Sequence, residues 1–385
     1  MTQPPQSGPW GAHPPQQPGN WQGYPGGPHG PGPQGQWNPQ QQWPNPAPAP
    51  QKKGPLKWVL GAIALIAVIA VTAVVAVSCA GGNGSNNGGG GNTPSSGSKS
   101  DIASANDTGP VSVITEDPSC APWGPINDTL ANSLKNGWDQ RDPSIPASAW
   151  TPEMQALYQS ASTAFRNAAD QTVSLIKVTK HRVMRELYQQ YVAYIHAFVE
   201  NISSYSAIDN QLVTVGSTLG SVLNGICQAI TFGSAATRAP LVPPASSPKH
   251  VASSENADKP TKFMGTSDSD CPEWQSAADG LTSDPAFLQW VKHDPSLPAS
   301  SWPPQYLTDN DAVKPVFNRS IEAYEKLSAN SSNPVIADFG TLAAQYGHAF
   351  IQGMPTYTQP DIYLYTVFLR APGAIAAACR SVGAS

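Results

Sequence analysis

Charge is scarce in this sequence. Only 12% of its 385 residues are Asp, Glu, Lys or Arg, the formal net charge is −5, and no basic run extends beyond Lys52, Lys53 and Lys57. A nucleic-acid binder carries a basic patch or stripe, so that class is excluded. Alternating strand patterns are nearly absent, which argues against sheet architectures. The sequence has no HExxH, no ExxH on a helical stretch, no GxSxG and no Gly-rich phosphate loop between strand and helix. Histidines are too few for a zinc site unless carboxylates join them. No catalytic residue, metal or cofactor is expected.

What is present falls into zones. Residues 1–50 contain no charged side chain and are dominated by Pro, Gln and Gly, with Trp10, Trp21, Tyr24, Trp37 and Trp43 spaced between. Such a segment buries too little apolar surface to offset its ordering entropy. Residues 1–55 are therefore expected to be a disordered arm with polyproline II stretches, either a solvated tail or a low-affinity ligand for Pro-binding domains or for other copies of the chain through the spaced aromatics. Residues 56–78 follow as a transmembrane helix: Trp58–Val77 is 20 residues without a charge, about 30 Å of helix. The lysines precede this span and no Lys or Arg follows until Lys99, which places the N-terminus in the cytoplasm and the remainder outside. Ser78-Cys79 faintly matches a lipobox, so a lipoprotein anchored at Cys79 is the alternative to an uncleaved single-pass anchor. Residues 79–110 form a Gly/Ser/Asn linker.

The rest of the chain is duplicated. DPSIPASAW at Asp142–Trp150 recurs as DPSLPASSW at Asp294–Trp302, and the offset of 152 persists without gaps to the C-terminus. Tyr194-Ile195-His196-Ala197-Phe198 matches Tyr346-Gly347-His348-Ala349-Phe350, Asp209 matches Asp361, and Cys227 matches Cys379. Upstream, Cys120-x-x-Trp123 matches Cys271-x-x-Trp274 at offset 151. Each copy thus has a cysteine at its start and one at its end. Equivalent domains favour Cys120–Cys227 and Cys271–Cys379 among the three pairings of four cysteines, with buried free thiols as the alternative. An exported domain sits where disulfides persist, and closing loops this long contributes on the order of 4–5 kcal/mol in the chain-entropy model.

The apolar spacing within each copy is helical. In Met154–Ile176 it runs through Leu157, Ala161, Phe165 and Ala168, behind Thr151-Pro152 as N-cap and first-turn proline. In Val183–Tyr205 it runs through Leu187, Tyr191, Tyr194, Ile195 and Phe198. A further helix is expected from about Asp209 to Cys227, with Asp209 and Asp361 as N-caps. The expected fold is all-α: two tandem four-helix units at residues 111–230 and 269–385, each closed by its own disulfide, with 231–268 as a linker.

His196 and His348 are the most suggestive polar residues. On a helical wheel His196 falls with Arg185, Gln189 and Glu200, opposite the stripe of Tyr191 and Phe198. It is open to three readings: a structural hydrogen bond to a neighbouring helix or loop, a contact face shared by the two copies, or a ligand- or proton-sensing group. Tyr194 and Tyr346 accompany the histidines as a candidate interaction face. The matched tryptophans are read as core and loop anchors, with a carbohydrate or lipid groove as the alternative.

The charge-free Trp-dotted arm, the Lys-flanked Ala/Val span and the Gly/Ser linker together resemble the proline-rich single-pass membrane proteins of mycobacteria and related actinobacteria. The resemblance is one of layout over residues 1 to about 100. It implies an envelope location and assigns no functional residue. The resulting expectation is a non-enzymatic, membrane-anchored envelope protein. Its duplicated extracytoplasmic domain would bind or scaffold protein partners, while the Pro-rich arm would engage others inside the cell. A sensor or enzyme with a pocket between the repeats is the alternative.

Overall fold

The computed structural model describes residues 101–254 and 258–383. The expected arm, the membrane span, Cys79 and the linker up to residue 100 lie outside the described residues. Among the described residues there are ten α-helices, short 3-10 turns and no strand. The all-α expectation holds.

The first half comprises α1 (Cys120–Ser133), α2 (Pro152–Val178), α3 (Arg182–Asn201), α4 (Asn210–Thr231) and the one-turn α5 (Ser234–Arg238). The second comprises α6 (Cys271–Ser283), α7 (Pro285–Trp290), α8 (Pro304–Asn330), α9 (Pro334–Gly353) and α10 (Ile362–Ser381). Local chemistry starts these helices. The Thr151 side chain accepts a hydrogen bond from Met154 N ahead of Pro152, and the Asn333 side chain accepts from Val335 N and Ile336 N ahead of Pro334, satisfying amides that a helix start leaves unpaired. Asp209 and Asp361 act differently from expectation. Each sits at the third position of a 3-10 turn, and its carboxylate accepts from the backbone of Ser206 or Thr358 in a capping box.

Two disulfides tie the first helix of each half to its last long helix, Cys120–Cys227 and Cys271–Cys379. The two DPSxPASxW loops are fastened in the same way. Ala147 N donates to Tyr205 O and Ala299 N to Tyr357 O, both at 2.9 Å. The Tyr205 hydroxyl donates to Pro143 O and the Tyr357 hydroxyl to Pro295 O, both at 2.7 Å. Trp123, Trp138, Trp274 and Trp290 are buried in the core, and Trp150 stacks on Tyr158 as Trp302 does on Tyr306.

The halves meet chiefly along α4 and α10. These lie antiparallel: Phe232 at the end of α4 stacks on Tyr363 at the start of α10, while Gly373, late in α10, lies nearest Thr218 in the first half of α4. Gly225 permits the close crossing, since a Cβ there would sit 2.9 Å from Val367 Cγ2 and 3.2 Å from Tyr363 O. By length and composition both helices could cross a membrane, yet 67% and 72% of their apolar windows are buried within the folded body. Their apolarity is accounted for by this central packing.

The segments before α1 and α6 complete the interlock, each crossing onto the other half. Ile114 N donates to the hydroxyl of Tyr346 on α9, and the hydroxyl of Tyr194 on α3 donates to Met264 O. Phe263 N donates to Gln190 on α3, and Phe263 packs against both Tyr194 and Phe339. The stretch expected as a linker thus includes residues built into the core. Arg238 adds a bidentate pair with Asp361 across the halves.

Candidate functional site

The N-terminal part of the polar side of α3 is not open to solvent, whereas His196 and Glu200 further along it are not buried. Arg182, Arg185, Glu186, Gln189 and Gln190 are all buried, where residues 104–109, Ala252 and residues 261–264 lie over this part of the helix. Arg182 is the hub. Its Nε and Nη2 form a bidentate pair with Asp338 on α9 at 2.6 and 3.1 Å, and its Nη1 donates to the carbonyls of Asp107 and Gly109. Its backbone N–H donates to the Asp107 carboxylate. One side chain therefore joins α3, α9 and the entering segment through charge-assisted bonds, the strong class of hydrogen bond. Arg185 reaches the other way, donating from Nη1 to the carbonyl and hydroxyl oxygens of Ser104 and from Nη2 to Ala252 O.

Glu186 lies beside this pair and is 1% exposed. Neither of its oxygens has a partner at hydrogen-bonding geometry among the described residues; the nearest cation, Arg182 Nε, is 3.9 Å away. Burial, and then the adjacent Asp338 charge, push its carboxyl well above the ordinary carboxylate range. Glu186 and Asp338 occupy equivalent positions of the two copies, so the junction brings together one acid from each, and Arg182 is committed to Asp338.

Beside Asp338 a hollow of about 410 Å³ opens between α8, α9 and a roof formed by Pro243–His250. Its helical wall comes wholly from the second half. Val111 of the first half and the stretch between the two copies complete the lining. The roof is tied down at both ends. Gln345 Nε2 donates to Pro243 O, and Lys249 Nζ donates to Ala329 O near the C-terminus of α8, where the helix dipole favours a cation. Glu325, Ser328, Asp338 and His348 contribute to the lining. The Oγ of Ser328 is buried without a hydrogen-bond partner among the described residues.

The structure separates the sequence-derived candidates. His196 Nε2 pairs with Asp170 on α2, and His348 Nε2 with Glu325 on α8, each at 2.9 Å. Each histidine engages a carboxylate of its own half, and the main inter-half helices α4 and α10 carry neither. Tyr194 and Tyr346 do not join them on an accessible face. Both tyrosines are 0% exposed, and their hydroxyls receive the crossing segments, so their place in a surface is corrected to one in the interlock. Burial raises the pKa of both phenols. The four paired cysteines fasten helices and carry no other chemistry here.

Arg182, Glu186 and Asp338 were not singled out by the sequence reading. A usable signal existed, because Asp338 is the only Asp, Glu, Lys or Arg in α9, at the position equivalent to Glu186.

A family model described as mycobacterial ESX-1 associated protein matches residues 102–383 of the chain. A curated relative from Mycolicibacterium smegmatis (strain MKD8), described as an uncharacterized protein, is 38% identical over 345 residues, covering 89% of this chain and 91% of the relative. No solved structure matches the chain.

Proposed function

The chain belongs to the mycobacterial ESX-1 associated protein family, and from that premise we propose that it is an envelope protein that binds or scaffolds protein components of the ESX-1 secretion system. The interlock of the two halves carries this reading. Arg182–Asp338, Arg238–Asp361 and the crossed segments at Tyr194 and Tyr346 hold two helical bundles as one rigid body, and a pre-organised surface binds protein partners at lower entropic cost than a hinged one. The charge-free span Trp58–Val77 behind Lys52, Lys53 and Lys57 supports a single-pass anchor with the helical body outside the membrane. In this arrangement the Pro-rich arm engages partners on the cytoplasmic side.

Deleting the gene in a mycobacterium and measuring ESX-1-dependent protein export into the culture filtrate tests the proposal. Export falls on deletion and returns with the wild-type chain; unchanged export in the deletion strain contradicts the role.

A further inference from the structure

The two DPSxPASxW loops are tied alike to Tyr205 and Tyr357 but differently at their entrances. In the first half the residue before the loop is Arg141, whose guanidinium lies 3.5 Å from the Trp138 ring centre and donates to Trp138 O and to Asn210 Oδ1 on α4. At offset 152, His293 stands in place of Arg141 and Asp309 in place of Leu157. His293 Nε2 lies 2.7 Å from Asp309 Oδ2, and the two side chains are only 17% and 10% exposed. The second half thus differs at both partners of one contact. The His293 ring also lies flat on Tyr306, at 4.1 Å and 8°, and Tyr306 stacks on Trp302 at 4.5 Å. Met154 occupies the position of Tyr306 in the first half. A stack of three rings therefore runs from the entrance of the second loop to the tryptophan at its end.

Arg141 is a cation at every working pH, whereas an imidazole gains and loses its charge near neutrality. We infer that the second loop is a proton-responsive element: the His293 imidazolium clasps its entrance to α8, and loss of that proton loosens it. The imidazolium makes a charge-assisted bond to the Asp309 carboxylate and lies as a cation over the Tyr306 face. The neutral ring keeps at most a weaker hydrogen bond. Asp309 also accepts from Gln305 Nε2 at 2.9 Å, and His293 holds its carboxyl below the ordinary carboxylate range. The other groups facing the clasp are Gln289 on α7, Lys292 and Asp294 beside it, and Tyr357 beyond Tyr306. None of these is a histidine, and burial pushes the Tyr306 phenol up to about 12. The first loop, held by an arginine, is a control within the same chain. This inference goes beyond the proposed envelope role and does not depend on it.

The test is hydrogen–deuterium exchange of the full chain in detergent from pH 5 to 8, each rate taken relative to an unstructured peptide at the same pH. The reporters are the amides of His293 and Leu297, which donate to Trp290 O and Asp294 O, and in the other half those of Gln140 and Arg141, which donate to Gly137 O and Trp138 O. Protection over residues 291–297 should be greatest at pH 5 and fall about three- to fivefold by pH 8, the scale of one ion pair near the surface. Protection over residues 139–145 should stay level. Asp309→Asn removes the carboxylate and His293→Arg makes the cation permanent, so each should flatten the profile over 291–297; either variant that folds suffices for the comparison. Level protection over 291–297 in the wild type, a parallel fall in both loops, or a fall that persists in a folded variant overturns the inference. The export assay is a separate readout, so failure here is distinguishable from failure of the envelope role.

Discussion

Glu186 and Asp338, equivalent residues of the two halves, lie side by side at the buried junction with the Arg182 guanidinium bound to only one of them. With Arg185 buried beside them, the junction holds two guanidiniums and two carboxylates, of which Asp338 is hydrogen-bonded to Arg182 and Glu186 is not hydrogen-bonded. Burial, and then the Asp338 charge, raise the pKa of the Glu186 carboxyl against the opposing pull of Arg185 and Arg182.

This predicts a pH dependence of defined sign. The Glu186 carboxyl in the folded state binds its proton more tightly than in the unfolded chain, so the folded state holds more protons between the ordinary carboxylate range and the raised value. Its stabilising contribution is complete at acidic pH and declines as pH rises through that window. Glu186→Gln reproduces the protonated form at every pH. Denaturation midpoints measured from pH 5 to 10 should fall less steeply in the variant, with the two proteins diverging toward alkaline pH.

Breaking the pair from one side should be severe. Asp338→Ala leaves the Arg182 guanidinium buried beside Glu186, and loss of one partner of a buried pair costs about 3–5 kcal/mol. Some of that loss returns because Glu186 stands 3.9 Å from Arg182 Nε as a second carboxylate partner. Adding Glu186→Gln to Asp338→Ala removes this compensation, so urea unfolding should show the double variant less stable than the sum of the single changes.

Close approach of α4 to α10 depends on Gly225. A side chain there meets Val367 and the carbonyl of Tyr363, and the backbone carbonyl has little room to retreat. Gly225→Val should destabilise by about 1–3 kcal/mol through overpacking, despite removing a helical glycine. Calorimetry should then show two transitions where the wild type unfolds in one.

The disulfides close sequence separations of 107 and 108 residues. Replacing either pair by alanines should cost about 2–5 kcal/mol, read from thermal melts. Non-reducing peptide mapping should recover Cys120 with Cys227 and Cys271 with Cys379.

Local and periodic features were legible in the sequence. Thr151-Pro152 marked the start of α2, the spacing of Leu157, Ala161, Phe165 and Ala168 marked its buried face, and the matched cysteines pointed to their partners. The polar side of α3 was misleading for a physical reason. A helical wheel reports which residues are polar but not what covers them, and Arg185 and Gln189 are covered by segments lacking any period. Those covers come from 67 to 81 residues away in sequence, as the bonds of Arg185 to Ala252 and Ser104 and of Gln190 and Tyr194 to Thr261 and Met264 illustrate.

Photocrosslinking in intact mycobacteria tests the proposed role most directly. With a photoreactive amino acid placed at exposed Leu288 or Leu307 of the full chain, irradiation should yield adducts with ESX-1 components, and these should vanish in a strain lacking that system. Adducts confined to cytoplasmic proteins, or adducts identical in the two strains, would contradict an envelope protein working with ESX-1.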